Sequence, residues 1–135
     1  MSRITPNREQ FEQLAHAPDD GPVVMLNLLK FKASATGNGG GSGADAYQRY
    51  GEAAVEMVEA RGGKVLWAGR GDQIRIGDPD EDWDQGVLVE YPSRQAFIEM
   101  VTTPEYDDAH KHREQGLERT VLVACSPRLD RLGGS

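Results

Sequence analysis

The sequence predicts an α+β domain over residues 22–126, in which strands and helices follow in the order β-α-β-β-α-β. Two observations indicate this order. Short apolar runs bounded by turn residues alternate with segments whose apolar residues recur at helical spacing. Two successive strand segments are joined by a short polar turn, which is typical of an antiparallel hairpin. We therefore expect one four-stranded antiparallel sheet with two helices on one face.

Residues 1–21 are expected to form an N-terminal helical extension. Its short helix is predicted to begin at Thr5 and Pro6, because threonine caps helices and proline fits the first helical position. Turn residues over 18–22 end this helix. Beyond the domain, residues 127–135 are expected to form a C-terminal tail.

The first strand is predicted over residues 23–31, whose sequence VVMLNLLKF is nearly continuous in apolar residues. Such a run indicates a central strand that is covered on both faces. The glycine-rich segment 37–43 follows and is interpreted as a flexible connection, with a lid over a ligand site as the alternative. A phosphate cradle is not expected, because the segment lacks the GK[ST] ending of a P-loop.

The other elements are predicted from the same signals, apolar runs for strands and helical spacing of apolar residues for helices, with glycine, proline and capping residues at their ends. In chain order they are a helix over 46–61 capped by Asp45, strands over 64–76 and 83–91, a helix that begins at Pro92 and Ser93 and restarts at Thr103 and Pro104, and a strand over 119–125.

The predicted first strand is apolar on both of its sides. Residues 23, 25 and 29 on one side and 24, 26 and 28 on the other are all apolar. Two helices can cover one face of the sheet, and an apolar face left bare would be larger than monomeric proteins tolerate. A second copy of the chain is the simplest cover, so we expect a homodimer.

Composition excludes several classes of partner. Acidic residues number 22 against 15 basic ones, which gives a formal charge of −7. Nucleic acid and anionic membrane surfaces are therefore not expected partners, since proteins bind both through clusters of lysine and arginine, which this sequence lacks. The polar start MSRITPNREQ has no apolar core of a signal peptide, so a cytoplasmic location is expected. Cys125 is the only cysteine and lies in an apolar run, where it is interpreted as structural.

Three segments, VVMLNLLKFK, VEYPS and TTPEY, together with Arg113 nine residues after Pro104, resemble the family catalogued as domain of unknown function 1330. This family belongs to the dimeric α+β barrel superfamily, and the likeness covers roughly residues 22–126. It implies a ferredoxin-like fold whose sheet meets that of a second copy to form a barrel. It also implies pockets between sheet and helices or inside the barrel. Relatives include cofactor-free monooxygenases, lactone isomerases and haem-degrading enzymes, but a shared fold does not transfer a reaction.

Several polar residues are candidates for a site. Asn27 interrupts an apolar strand, so its amide either orients a ligand or bonds to the main chain. His110 and Arg113 share a helical stripe with Tyr106. Arg113 is expected to face an anion, from Glu90 or from a ligand carboxylate or enolate, and His110 could act as a general base. The alternative is an internal ion pair with a stacked histidine.

Two large aromatic residues, Tyr50 and Trp67, are candidate walls for a planar ligand, with a purely structural role as the alternative. No metal is expected, because His110 and His112 point to different sides of a helix. The aspartates between residues 78 and 84 lack the glycine and the glutamate of a calcium loop and are interpreted as a solvated turn. No cofactor is expected either.

The first functional hypothesis is a small-molecule-binding barrel protein that acts as a cofactor-independent monooxygenase or isomerase on a small aromatic or keto/enol compound. His110 would move a proton, while Asn27 and Arg113 would hold the developing oxyanion. The alternatives are a non-catalytic ligand sensor and a dimerising interaction module whose pocket is filled by its own side chains.

Overall fold

A computed structural model describes residues 8–16, 21–36, 41–74, 76–78, 80 and 82–126. In chain order the elements are α1 (Arg8–His16), β1 (Val23–Phe31), α2 (Gly43–Ala60), β2 (Lys64–Arg70), β3 (Gln85–Tyr91), α3 (Arg94–Val101), α4 (Pro104–Gly116) and β4 (Leu117–Cys125). The strands form one antiparallel sheet in the order β2-β3-β1-β4. The predicted α+β order is thus confirmed, with a short helix before it.

Some predictions lie outside the described residues. They concern the helix start at Thr5 and Pro6, most of the turn that ends this helix, residues 37–40 of the glycine segment and the tail 127–135. Residues 41–43 of the segment are described, and the Ala35 N–H, before the segment, donates to the Gly41 carbonyl oxygen at 3.0 Å.

Helix α2 begins three residues before the predicted position. Ser42, rather than Asp45, is its N-cap, and the two residues form a reciprocal capping box. The Ser42 hydroxyl accepts from the Asp45 N–H at 3.0 Å, and the Asp45 carboxylate accepts from the Ser42 N–H at 3.0 Å. These bonds lower the pKa of Asp45. The restart predicted at Thr103 is confirmed, since the Thr103 hydroxyl accepts from the Tyr106 N–H.

The β2-β3 hairpin is shorter than predicted, because β2 ends at Arg70 rather than at residue 76. The Gly71 N–H donates to the Asp84 carbonyl oxygen, while the Asp84 N–H donates to Leu29 on β1. Asp84 thus continues the pairing with both neighbouring segments by one residue, just before β3 begins at Gln85.

The aspartates of the turn are not simply solvated. Asp82 lies 2.6 Å from the Lys30 ammonium and 2.9 Å from the Arg119 guanidinium. The Arg119 guanidinium also stacks on the Trp83 ring at 4.4 Å from its centroid. These contacts fasten the turn across the ends of β1 and β4. The Lys30 ammonium, chiefly through its hydrogen bond, lowers the pKa of Asp82.

The core lies between the sheet and the helices. Alternate strand residues fill it, among them Val23, Met25 and Leu29 on β1, and they pack against helix residues such as Phe97 and Met100. We call this side of the sheet the helix face. Within the described residues, no helix is long and apolar enough to cross a membrane.

The opposite side of the sheet, here called the open face, is also apolar, as predicted. The side-chain alternation and the strand register assign it Val24, Leu26, Leu28, Trp67, Leu88, Val121 and Val123. Trp67, Val121 and Val123 are 49%, 39% and 43% exposed. Among the described residues, we assign no helix to this face.

Candidate functional site

The residues predicted for the site fall on two sides of the sheet. Tyr50 on α2 and His110 and Arg113 on α4 lie on the helix side, and Asn27 projects from the helix face of β1. Trp67 lies opposite Leu88 on the open face. A single cavity within one protomer therefore cannot be lined by both Trp67 and Arg113.

Glu90 also lies on the open face. Its neighbours along β3, Val89 and Tyr91, pack against the core, and strand alternation turns the residue between them to the other side. Its cross-strand partners are Val24 and Lys64. The carboxylate is thus separated by the sheet from the guanidinium that it was expected to meet.

Arg113 is buried under the helices, with 5% of its surface exposed. Its Nη2 group donates to the Thr120 hydroxyl at 3.4 Å, and that hydroxyl donates to the Leu28 carbonyl oxygen at 2.8 Å. The guanidinium carbon lies 5.9 Å from the centroid of the Tyr50 ring. Tyr47 also lies close enough to Arg113 for the guanidinium to oppose the rise in the pKa of its hydroxyl. Strand β4 and helix α2 therefore hold this cation from two sides.

Three of the four tyrosines, Tyr47, Tyr50 and Tyr106, interact with Arg113, and the fourth, Tyr91, lies next to this group. The Tyr50 and Tyr106 hydroxyl oxygens are 2.9 Å apart and share a hydrogen bond. The Tyr47 ring lies 5.3 Å from the Tyr50 ring, and Tyr91 interacts electrostatically with both. We call these four residues and Arg113 the tyrosine–arginine cluster.

Burial raises the pKa of each of these four tyrosines above its usual value of 10.0. Arg113 opposes this shift at Tyr47, Tyr50 and Tyr106, but it does not outweigh burial. The phenols therefore stay protonated at neutral pH. Each keeps an O–H group that can donate a hydrogen bond.

His110 lies beside the cluster and stacks on Tyr106, with ring centroids 5.6 Å apart and an interplanar angle of 29°. Both imidazole nitrogens are shielded from solvent and make no hydrogen bond to the described residues. Nε2 nevertheless lies 3.1 Å from a Glu114 carboxylate oxygen. Burial, and then the charge of Arg113, lower the pKa of His110 below 6.5. The imidazole is therefore neutral at pH 7 and can accept a proton.

Asn27 is held by the main chain. Its Nδ2 group donates to the carbonyl oxygens of Met25 at 3.2 Å and Val87 at 3.3 Å. These contacts agree with the structural interpretation of the amide. The carbonyl oxygen of the same amide is the atom through which Asn27 could bind a ligand.

Sequence reasoning did not assign Tyr47, Tyr91 or Thr120 to the site. Tyr47 precedes Tyr50 by three residues on the same helix, and this spacing places both on one side. Tyr91 was interpreted as the end of a strand and as part of the segment VEYPS that carries the family resemblance, and not as a site residue. Thr120 carried no signal, since its role depends on the packing of α4 over β4.

A groove of about 200 Å³ lies near the first turn of α4. It is lined by Met57, Ala60, Arg61, Met100, Thr103 and Glu105, none of which belongs to the cluster. Among the described residues, no three histidine, cysteine, aspartate or glutamate side chains are grouped to hold a metal ion.

Comparison with solved structures supports this architecture. A protein of unknown function from Rhodopseudomonas palustris is 38% identical, with a TM-score of 0.89, and the match covers 96% of this chain and 100% of that one. A dabb family protein with a ferredoxin-like fold from Mesorhizobium loti is 17% identical, with a TM-score of 0.51 over 80% of this chain and 98% of that one.

A protein from Arabidopsis thaliana is 13% identical, with a TM-score of 0.55, and the match covers 82% of this chain and 99% of that one. At such low identity, this match and the previous one show the fold alone. No curated protein matches the chain. Residues 42–125 match the model of the family described as Domain of unknown function (DUF1330). The chain thus has a ferredoxin-like fold and belongs to the DUF1330 family.

Proposed function

We propose that the protein is a homodimer that binds a small molecule at the tyrosine–arginine cluster. We further propose that it acts as a cofactor-independent monooxygenase or isomerase on a small aromatic or keto/enol compound. The observation that carries this proposal is the buried guanidinium of Arg113 among protonated phenols. Buried charges in proteins are usually paired with an opposite charge or take part in binding or catalysis.

The cluster supplies the groups that enolisation needs. A base must take a proton from carbon, and donors must stabilise the charge that develops on oxygen. The neutral imidazole of His110 is suited to the first role. Arg113 and the phenol O–H groups are suited to the second role. Asn27 is not, because its Nδ2 group already donates to the main chain; its amide oxygen can only accept a hydrogen bond from the substrate.

The dimer is proposed from the open face. Three of its large apolar residues, Trp67, Val121 and Val123, each expose more than a third of their surface. A flat apolar sheet face of this kind is covered in stable proteins, and a second copy offers a matching face. In such a dimer Trp67 and Glu90 would line the space between the two sheets, apart from the cluster.

A ligand screen by thermal shift tests the binding proposal. The panel should contain small aromatic ketones, lactones and hydroxylated aromatics, and hits should raise the melting temperature of the wild-type protein. Arg113→Gln should abolish these shifts. Arg70→Gln is the matched control, because the Arg70 side chain is 84% exposed and pairs with Asp72.

Product analysis of each hit then separates an enzyme from a sensor. A hit that is converted in the presence of oxygen alone, or isomerised without it, supports the enzyme. A hit that binds through Arg113 and is never converted supports a non-catalytic sensor. If no compound binds, or if binding survives Arg113→Gln, the site is wrong.

A further inference from the structure

The indole ring of Trp67 lies flat on the open face. Trp67 is on β2, and its ring extends along this strand over Gly69 and across to Gly86 on β3. A Cβ atom at Gly69 would overlap the Cζ2 and Cη2 atoms of the ring, and a Cβ atom at Gly86 would lie 3.5 Å from Cζ3. Trp67 is nevertheless 49% exposed, so the other side of its ring is turned to solvent.

The position of the ring depends on the absence of two side chains. Gly69 and Gly86 are cross-strand partners, and strand alternation places both on the open face with Trp67. Glycine weakens the interior of a strand, and there it often marks a place where another group approaches closely. This pair makes room for the indole and keeps the open face flat at this place.

The apolar surface around the ring extends across the whole sheet. It continues through Leu88 on β3, Leu26 and Leu28 on β1, and Val121 and Val123 on β4. A small planar ligand stacked on the indole would leave most of these side chains in water. The sheet of a second copy would cover them together with the ring. The extent of the surface therefore favours a second copy of the chain as the partner of Trp67.

From this geometry we propose that Trp67 is the anchor residue of the interface between two copies of the chain, and that Gly69 and Gly86 hold its ring flat so that a second sheet packs on it. This inference rests on the proposed homodimer and names the residue that dominates its interface. A few residues supply most of the binding energy of an interface, and tryptophan is enriched among them. The indole loses little freedom on association, because it already lies against the sheet.

Sedimentation equilibrium of the full chain measures the dissociation constant of the dimer. Trp67→Ala should raise this constant by at least about 30-fold, the effect of a dominant interface residue. Val55→Ala is the matched control, because Val55 is 38% exposed and lies on α2, away from the open face. It should leave the dissociation constant unchanged.

Gly69→Ala tests the position of the ring. Its methyl group would collide with the outer atoms of a half-exposed side chain, so the ring can swing away without unfolding the protein. We expect the dissociation constant to rise about 10-fold in the wild type. In the Trp67→Ala background the same substitution should change it by less than about 2-fold, because no ring is left to displace.

Fluorescence provides a measurement that leaves the interface intact. The chain has two tryptophans, and Trp83→Phe keeps an aromatic ring beside Arg119 while leaving Trp67 as the only indole. Dilution of this variant across its measured dissociation constant should shift the emission of Trp67 to longer wavelengths, because the ring then meets water.

Dimerisation of Trp67→Ala with the wild-type affinity would overturn the inference. An emission maximum that dilution leaves unchanged would do the same, as would an equal effect of Gly69→Ala in both backgrounds. A screening hit that changes the Trp67 emission without changing the mass of the dimer would assign the ring to a ligand instead. In each of these cases the proposed dimer still stands if Val123→Glu, which charges another part of the open face, is a monomer. If the wild type is a monomer at micromolar concentration, the dimer and the inference both fall.

Discussion

Tyr50 on α2 and Tyr106 on α4 are joined by a hydrogen bond of 2.9 Å between their hydroxyl oxygens. Their rings meet edge to face, with centroids 6.0 Å apart and an interplanar angle of 86°. The pair therefore couples the two helices that cover the sheet at the place where Arg113 is buried. It therefore contributes to the packing of the helix layer and forms part of the candidate site.

Replacing both members of this pair should cost little more than replacing one. Tyr106→Phe leaves the Tyr50 hydroxyl half-buried without its partner, so we expect a loss of about 1–2 kcal/mol in the free energy of unfolding. Adding Tyr50→Phe should cost little more. Urea denaturation of both single variants and the double variant measures the coupling. Strictly additive losses would contradict the hydrogen bond.

Two glycines of α2 should respond to alanine in opposite directions. At Gly43 a Cβ would meet the carbonyl oxygens of Lys32 and Gly116, the second at 2.6 Å. Gly43→Ala should therefore destabilise by at least about 2 kcal/mol. At Gly51 nothing lies within 4 Å, so Gly51→Ala should stabilise the helix by about 0.5–1 kcal/mol. Thermal denaturation compares the two, and a tolerated Gly43→Ala would contradict the close approach of α2 to α4.

His110 should make the fold sensitive to mild acid. Burial and Arg113 lower its pKa in the folded state, while Glu114 and Asp107 act in the opposite sense. The unfolded chain then binds the proton more readily, so stability is fully present above about pH 7 and falls as the pH drops below 6.5. Urea denaturation at pH 5.5 and 7.5 should show a smaller pH difference for His110→Gln than for the wild type. An unchanged difference would mean that this imidazole does not titrate abnormally.

The open face should control association. Val123→Glu places a charge on that face and should convert a dimer into a monomer in light scattering at micromolar concentration. Val55→Glu is the matched control, since Val55 on α2 is 38% exposed against 43% for Val123. A wild-type monomer, or a Val123→Glu dimer, would contradict the proposed interface.

The fold could be predicted from local patterns, but the distribution of the candidate site residues over the two faces of the sheet could not. The apolar run of β1 and the capping residue of α4 are local, and both elements were confirmed. The face of Trp67 depends on an irregularity in the register between Val65 and Trp67, which shifts the pairing with β3. Such a shift in strand pairing cannot be predicted from the spacing of residues along one strand.

Contacts between distant segments were also invisible in the sequence. Tyr50 and Tyr106 are 56 positions apart and meet only because α2 and α4 lie side by side on the sheet. The ion pairs of Asp82 with Lys30 and Arg119 arise in the same way. Glu90 was a different case. Strand alternation puts it on the face opposite to Val89 and Tyr91, so the sequence alone could have placed it away from Arg113.

The central claim is that the ligand binds on the helix side of the sheet and not between two open faces. The composition allows a direct test, because all four tyrosines belong to the cluster, whereas Trp67 lies on the open face. NMR spectra of protein labelled with ¹³C in tyrosine rings and ¹⁵N in tryptophan should be recorded during titration with the strongest hit of the ligand screen. We predict shifts of the tyrosine signals with the Trp67 indole signal unchanged. A shifted Trp67 signal with unchanged tyrosines would contradict the account.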